Sequence, residues 1–200
     1  RIGWFGALRC RRSLELLARF TRRQEGRYEV ILRGRPALSE FEDFHGFVAA
    51  EPHLSFEGPY RNPEDIGRIY GGVHFSWVID FFEEGLNSSW LLPNRLYEGC
   101  RFGAVPITFA GTETARFAAE RGVGVTLQAA TPQAIADALA PLDAEAHAKL
   151  RQSVVSGRSH AWSYGAEDCR ALVSRLGALA AAAQRSGGRL DRAEMAGGAR

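Results

Sequence analysis

Short apolar runs alternate with helix-patterned segments along most of the chain, and this alternation limits the fold more than any other feature. Six runs have the length and composition of buried strands, at residues 2–5, 28–32, 54–56, 73–79, 105–109 and 123–127. Strands separated by helices pair in parallel through right-handed crossovers, with helices on both faces of the sheet. The sequence therefore predicts an α/β protein with a doubly wound, mostly parallel sheet of about six strands.

Length and composition indicate one domain with an extension. A chain of 200 residues can bury about two thirds of its unfolded surface in a single core. We expect that domain at residues 1–183, ending in helices, and a disordered tail at 184–200, where Gly, Ala and Arg leave little to bury. No apolar run approaches the roughly 20 residues that span a bilayer. Cys10, Cys100 and Cys169 are far apart without a CxxC pair, which favours a reducing, cytoplasmic compartment over a disulfide framework or a zinc site.

The densest group of polar side chains lies at residues 87–98. Pro93 favours a helix start there, so we predict a loop at residues 87–89, a helix at 93–102 ended by Gly103, and a buried strand after it. Leu96 and Cys100 share the apolar face of this helix. A helix start surrounded by hydrogen-bonding groups predicts a ligand site, and the candidate residues are Asn87, Ser88, Asn94, Arg95 and Glu98.

Two further segments supply candidates. Gly6 closes the first apolar run, and Arg9 and Arg12 follow in the turn before a helix, where a helix N-terminus favours an anion. This turn is either a diphosphate pocket or a solvated basic loop. Asp80 lies at the carboxyl end of the fourth strand, where open α/β sheets place their ligands. Its alternative role is that of a cap.

A Rossmann-like sheet by itself does not identify the ligand. The segment Gly3-Trp4-Phe5-Gly6 lacks the GxGxxG spacing, and Arg33 stands where NAD-binding proteins carry an acid. Both observations argue against NAD, and Arg33 leaves an NADP-dependent oxidoreductase as an alternative. A non-catalytic nucleotide-binding module is a further alternative, from a different class of protein. A basic helix end at Arg19, Arg22, Arg23 and Arg27 has no aromatic platform beside it, so we expect no nucleic-acid partner.

The segments at residues 2–6, 87–98 and 103–107, with Arg9 and Arg12, resemble a known family. Over residues 1–162 the chain is similar to the C-terminal, donor-binding domain of group 1 GT-B glycosyltransferases, and in particular to bacterial exopolysaccharide enzymes of the succinoglycan type. The resemblance implies sugar transfer from a nucleotide-diphosphate sugar to a saccharide or lipid-linked acceptor. It implies that Glu98 binds the ribose and that Gly6, Arg9 and Arg12 form the diphosphate loop.

The resemblance also implies what to expect beyond this segment. Many retaining members have a second glutamate where this chain has Trp90, so no stereochemistry follows, and Asp80, Asn87 and Ser88 are candidates for contact with the sugar. We expect an N-terminal acceptor domain upstream of Arg1 that supplies the general base, so the catalytic residues are unknown and this segment is inactive alone. Without a DxD or His/Asp grouping we expect no metal and no cofactor. The basic helix end is a candidate for peripheral contact with the cytoplasmic face of the inner membrane.

Overall fold

The computed structural model describes residues 1–156 and 159–196, without side-chain detail for 159–160 and 184–196. The chain divides into two compact units, Arg1–Trp162 and Ser163–Arg200. The first unit holds the whole sheet and ends where the family resemblance ends. The predicted domain end at residue 183 falls within the long C-terminal helix. The predicted disordered tail at 184–200 lies outside the residues whose side chains are described, so it stays a prediction.

Six parallel strands form one sheet in the order β3-β2-β1-β4-β5-β6. Their bounds are Ile2–Leu8 (β1), Val30–Pro36 (β2), Leu54–Phe56 (β3), Phe75–Trp77 (β4), Val105–Phe109 (β5) and Val125–Leu127 (β6). The chain winds outward from β1 to β3, then returns to place β4 on the other side of β1. This order confirms the predicted α/β class and the Rossmann-like parallel sheet, and it creates a switch point between β1 and β4.

Ten helices connect or follow the strands in the described part of the chain. They are α1 (Arg11–Arg23), α2 (Phe44–Ala50), α3 (Ile66–Gly71), α4 (Asn87–Trp90), α5 (Asn94–Arg101), α6 (Glu113–Glu120), α7 (Pro132–Leu139), α8 (Ala144–Ser156), α9 (Ser159–Trp162) and α10 (Ala166–Ala196). Within the described residues, none of these helices is both long and apolar enough to cross a bilayer.

Apolar side chains cover both faces of the sheet, as a parallel sheet requires. Successive residues of a strand point to opposite faces. Trp4 of β1 therefore joins the larger apolar cluster, together with Leu14 and Leu17 of α1. Phe5 lies in a second cluster with three residues of α3, which are Ile66, Ile69 and Tyr70. The central strand is thus buried on both sides, and only its carboxyl end is left to form a site.

Near the carboxyl ends of β1 and β2, the backbones of the two strands approach each other unusually closely. Gly6 pairs with Gly34 in the parallel register. Gly34 has a φ of +131°, and a Cβ atom there would lie 1.9 Å from the carbonyl oxygen of Gly6. Only glycine fits that position. The predicted end of the first strand at Phe5 was therefore wrong, since β1 continues through Gly6 to Leu8.

Two other predicted boundaries were wrong. Strand β4 is shorter than predicted, so Asp80 lies three residues beyond Trp77. The segment at residues 87–89, predicted as a loop, belongs to the single-turn helix α4. Hydrogen bonds from the backbone N–H groups of Glu83 and Gly85 to the hydroxyls of Ser88 and Ser89 hold the turn of α4. Strand β4 ends where its backbone pairing with β5 stops, at Trp77.

Candidate functional site

A cleft of about 450 Å³ opens at the carboxyl edge of the sheet. It lies at the switch point between β1 and β4, where doubly wound sheets bind their ligands. Eight of the nine predicted site residues line it, namely Gly6, Arg9, Asp80, Asn87, Ser88, Asn94, Arg95 and Glu98. Arg12 is the exception. Segments that are up to 92 residues apart in the chain are therefore brought to one place by the sheet order.

A carboxylate between two arginines forms one part of the cleft. Oδ2 of Asp80 accepts from Nη2 of Arg95 at 3.2 Å and from Nη2 of Arg9 at 3.3 Å. Oδ1 of Asp80 accepts from the backbone N–H of Phe82 at 3.0 Å. The side chains of Asp80 and Arg95 are only 13% and 10% exposed. Two guanidinium groups share one buried carboxylate, and Nη2 of Arg9 also lies 3.9 Å from Oε2 of Glu83.

Arg95 is the more buried of the two arginines. Burial lowers the pKa of its guanidinium from the ordinary value, while the nearby Asp80 acts in the opposite direction. Its Nε is buried without a hydrogen-bond partner within the described protein. A guanidinium has five N–H donors, and Asp80 uses only one of those of Arg95. Arg95 therefore lines the cleft as a charged group, and Asp80 leaves most of its N–H donors unused.

Glu98 lies on α5 one turn beyond Arg95 and is held from two sides. Its Oε1 accepts from Nδ2 of Asn62 at 2.9 Å, and its Oε2 accepts from the hydroxyl of Tyr70 at 3.1 Å. Tyr70 is fully buried. Burial, and then the charge of Glu98, raises the pKa of Tyr70 well above its ordinary value. The phenol is therefore a permanent donor, and Glu98 has a fixed orientation.

The β4–α5 connection supplies the opposite wall of the cleft. Asn87 donates to Oε2 of Glu83 at 3.1 Å, and Oγ of Ser88 accepts from the backbone N–H of Glu83 at 3.0 Å. These contacts hold the single turn of α4 against the segment that follows Asp80. Asn94 is exposed at the first position of α5. The predicted polar residues of this stretch thus line the cleft, although their local structure is helical.

Arg12 lies outside the cleft. Its guanidinium pairs with Glu84 and lies 4.3 Å from the centroid of the Phe81 ring. The N-terminus of α1, predicted to attract an anion, is capped by Cys10, whose Sγ accepts from the Ser13 N–H at 3.4 Å. The Phe81 N–H donates to the same sulfur at 3.4 Å. In this structure, Arg9 is the arginine of the first turn that reaches the cleft.

Sequence reasoning missed three residues beside Glu98. Tyr60 and Asn62 line the cleft from the connection between β3 and α3, and Tyr70 reaches Glu98 from beneath. Burial, and then the charge of Glu98, also raises the pKa of Tyr60. The sequence offered one signal for these residues, which was a tyrosine and an asparagine in a connection at the carboxyl end of a strand. Taken alone, that segment indicates only a turn and the start of a helix.

Arg33 and the basic end of α1 make contacts outside the cleft. Arg33, the residue that left NADP as an alternative, donates to the carbonyl of Glu57 at 3.2 Å and lies 3.7 Å from the Glu57 carboxylate. At the end of α1, Arg22 pairs with Glu51 at 2.5 Å. Arg19, Arg23 and Arg27 are exposed. Contact of this helix end with a membrane stays a prediction.

The described residues include no group of three or more His, Cys, Asp or Glu side chains placed to hold a metal ion. The charged groups that line the cleft are Arg9, Asp80, Arg95 and Glu98. Their chemistry suits hydrogen bonding to an anion and to hydroxyl groups.

We compared the chain with known proteins. No protein-family model matches it. The chain is 57% identical over 179 residues to the succinoglycan biosynthesis protein ExoL of Rhizobium meliloti (strain 1021), an alignment that includes 90% of the chain. It spans 44% of the length of that relative, so it corresponds to less than half of it.

Two solved structures share the fold. One is the C-terminal domain of a group 1 glycosyl transferase family protein, LpcC from Francisella tularensis, with a TM-score of 0.59, 16% identity, and coverage of 78% of this chain and 82% of that one. The other is Anabaena HepE in complex with UDP and glucose, with a TM-score of 0.62, 14% identity, and coverage of 88% and 48%. The chain is therefore a homologue of ExoL with the fold of the C-terminal domain of group 1 GT-B glycosyltransferases.

Proposed function

We propose that the cleft binds the nucleoside diphosphate portion of a sugar donor. The chain is then the donor-binding part of a glycosyltransferase that transfers the sugar to a saccharide or lipid-linked acceptor in exopolysaccharide or cell-surface glycan synthesis. The observation that carries this proposal is the presence of Glu98 and the Arg9–Asp80–Arg95 cluster in one cleft at the β1–β4 switch point. The identity with ExoL supports the biological setting.

Each group has a defined part in the proposed complex. A carboxylate with a fixed orientation suits the two neighbouring hydroxyls of a ribose, so Glu98 binds the nucleoside. Arg9 and Arg95 donate to the diphosphate, and their positive charge stabilises the leaving group as the bond to the sugar breaks. Because Asp80 holds both guanidinium groups in place, little reorganisation is needed. The general base and the acceptor site are assigned to the rest of the enzyme.

The same residues carry a proposal about metal ions. Guanidinium groups at the diphosphate supply the charge that a divalent ion provides in other transferases. We therefore propose donor binding without a metal. This part of the proposal can be tested in the same titration as the binding itself.

The test is a calorimetric titration of the complete gene product with UDP, GDP and ADP, with UDP first because HepE was solved with it. We expect one nucleotide to bind and Glu98→Gln to weaken it roughly tenfold or more, the value of one or two hydrogen bonds to a charged group. The control is Glu113→Gln, at the start of α6, where the half-buried carboxylate pairs with Arg116; this variant should bind as the wild type does.

Three results would count against the proposal. Absence of binding by every nucleotide would contradict the donor site, and unchanged affinity of Glu98→Gln would contradict the role of that carboxylate. Loss of affinity in the presence of EDTA, restored by Mg²⁺ or Mn²⁺, would contradict the metal-free proposal while leaving the site intact.

A further inference from the structure

The carboxylate of Glu98 is held by two side chains from a different connection between strands. The carboxylate lies on α5, after β4, whereas Asn62 and Tyr70 belong to the connection between β3 and β4. Each carboxylate oxygen accepts one hydrogen bond, at 2.9 Å from Asn62 and 3.1 Å from Tyr70. The two donors therefore restrict rotation of the carboxylate about its last torsion, which is otherwise broad.

The number of hydrogen bonds fits a diol. An ionised carboxylate offers about four acceptor positions, and the two protein donors use one on each oxygen. One position per oxygen is left for a ligand. Two neighbouring hydroxyls of a ribose present two donors with a matching separation, so a carboxylate held in this way can accept from both at once.

Tyr70 is built into the core and is not free to move. Its side chain is fully buried and its ring packs edge-on against Phe5, with the centroids 4.9 Å apart. The ring also lies close to α5, because a Cβ atom at Gly99 would be 3.4 Å from its Cε1. Its raised pKa keeps the hydroxyl protonated throughout the physiological range. The donor that faces Glu98 is thus fixed in position and in protonation state.

We infer that Tyr70 and Asn62 are positioning residues that orient Glu98 for recognition of a ribose diol, so that they set the preference for ribonucleotides over deoxyribonucleotides. They act through Glu98. This inference rests on the proposed function, because it assumes that a nucleoside occupies the cleft.

The experiment measures ribose preference. For the nucleoside diphosphate that binds best, the Kd of its 2′-deoxy form is divided by the Kd of the ribose form, with the wild type and with Tyr70→Phe. We expect a preference of roughly tenfold or more in the wild type. In Tyr70→Phe the ribose form should bind about fivefold more weakly, with the deoxy form changed less than about twofold.

Two further variants separate orientation from folding. Asn62→Ala changes an exposed side chain and should reduce the ribose preference in the same direction, whatever Tyr70→Phe does to stability. Tyr97→Phe is the matched control, because Tyr97 is next to Glu98 on α5 but packs its ring against Phe117, with the centroids 5.7 Å apart. It should keep the wild-type preference.

The outcomes distinguish this inference from the proposed function. If the wild type prefers the ribose form and both Tyr70→Phe and Asn62→Ala keep that preference, or lose affinity for both forms equally, the positioning role is wrong and the donor site stands. If the wild type binds neither form, the proposed function has failed and the inference fails with it. If the wild type binds both forms equally, the donor site stands, but Glu98 and its two partners do not select the ribose and the inference is wrong.

Discussion

Asp80 lies between the two arginines that line the cleft. Its carboxylate bridges Arg9 and Arg95 at 3.2–3.4 Å. Arg95 and Asp80 are both close to nine-tenths buried. If one of them is removed, little water can therefore solvate the charge that remains. Removing one partner of such a pair leaves a buried charge uncompensated, which costs more than the pair contributes in net terms. Asp80 is therefore important for stability as well as for the position of the two arginines.

We predict that Asp80→Asn destabilises the folded protein. The substitution keeps the shape of the side chain but leaves Arg95 buried without a counter-charge, so we expect the free energy of unfolding to fall by about 3 kcal/mol. The matched control is Glu84→Gln, which removes the partner of Arg12 in a pair that is about half exposed and should change it by less than about 1 kcal/mol. Urea unfolding measures both. Equal effects would contradict the account of the buried cluster.

At the level of single residues, the sequence was informative where a motif carried the signal. The stretch from Asn87 to Glu98 and the turn with Arg9 were identified, and the structure brings them into one cleft. The partners of Glu98 could not be predicted. The hydrogen bond of the Tyr70 hydroxyl depends on how α3 packs beside α5, which no local pattern indicates. The prediction that Arg12 belongs to the site was wrong for a similar reason, because its partner Glu84 is 72 residues away in the chain.

Among the secondary-structure elements, the contact between β1 and β2 controls the edge of the cleft. Gly34 and Gly6 allow the two backbones to approach at the carboxyl ends of these strands. Gly6 itself lines the cleft. A side chain at Gly34 would push the strands apart where the ligand is expected.

We therefore predict that Gly34→Ala destabilises the protein by about 3 kcal/mol or more, through overpacking and a backbone conformation that disfavours a Cβ atom. Gly58→Ala is the matched control. Gly58 also has a positive φ, +75°, but a Cβ atom there would have no other atom within 4 Å, so only about 1 kcal/mol should be lost. Thermal and urea unfolding of the two variants compare them directly. A similar loss in both would show that the close approach is not the cause.

The alternation of strands and helices along the chain could be predicted because the strand runs were apolar, and Pro93 and Gly103 marked the two ends of α5. Gly103 ended α5 as predicted, with a φ of +81°. Boundaries were less predictable where the ladder of backbone hydrogen bonds decides the end of a strand. Strand β4 pairs with β1 through only Phe75 and Ser76, and no local pattern in residues 73–79 indicates that limit.

For the whole molecule, the sheet order is what turns separate segments into a site. Because β4 returns beside β1, the first turn, the segment after β4 and the start of α5 meet at one edge. Alternation of strands and helices predicts such an edge, and the resemblance to glycosyltransferases identified which residues to look for there. The order of the outer strands and the depth of the cleft depend on packing across the sheet, which one sequence does not display.

In the complex that we propose, a nucleoside diphosphate lies at this edge with its ribose on Glu98. The most direct measurement is a crystal structure of the complete gene product with the nucleotide bound. We predict ribose hydroxyl oxygens about 3 Å from both carboxylate oxygens of Glu98, with the diphosphate against Arg9 and Arg95. A nucleotide bound elsewhere, or one whose ribose faces away while Glu98 contacts only Asn62 and Tyr70, would contradict the account.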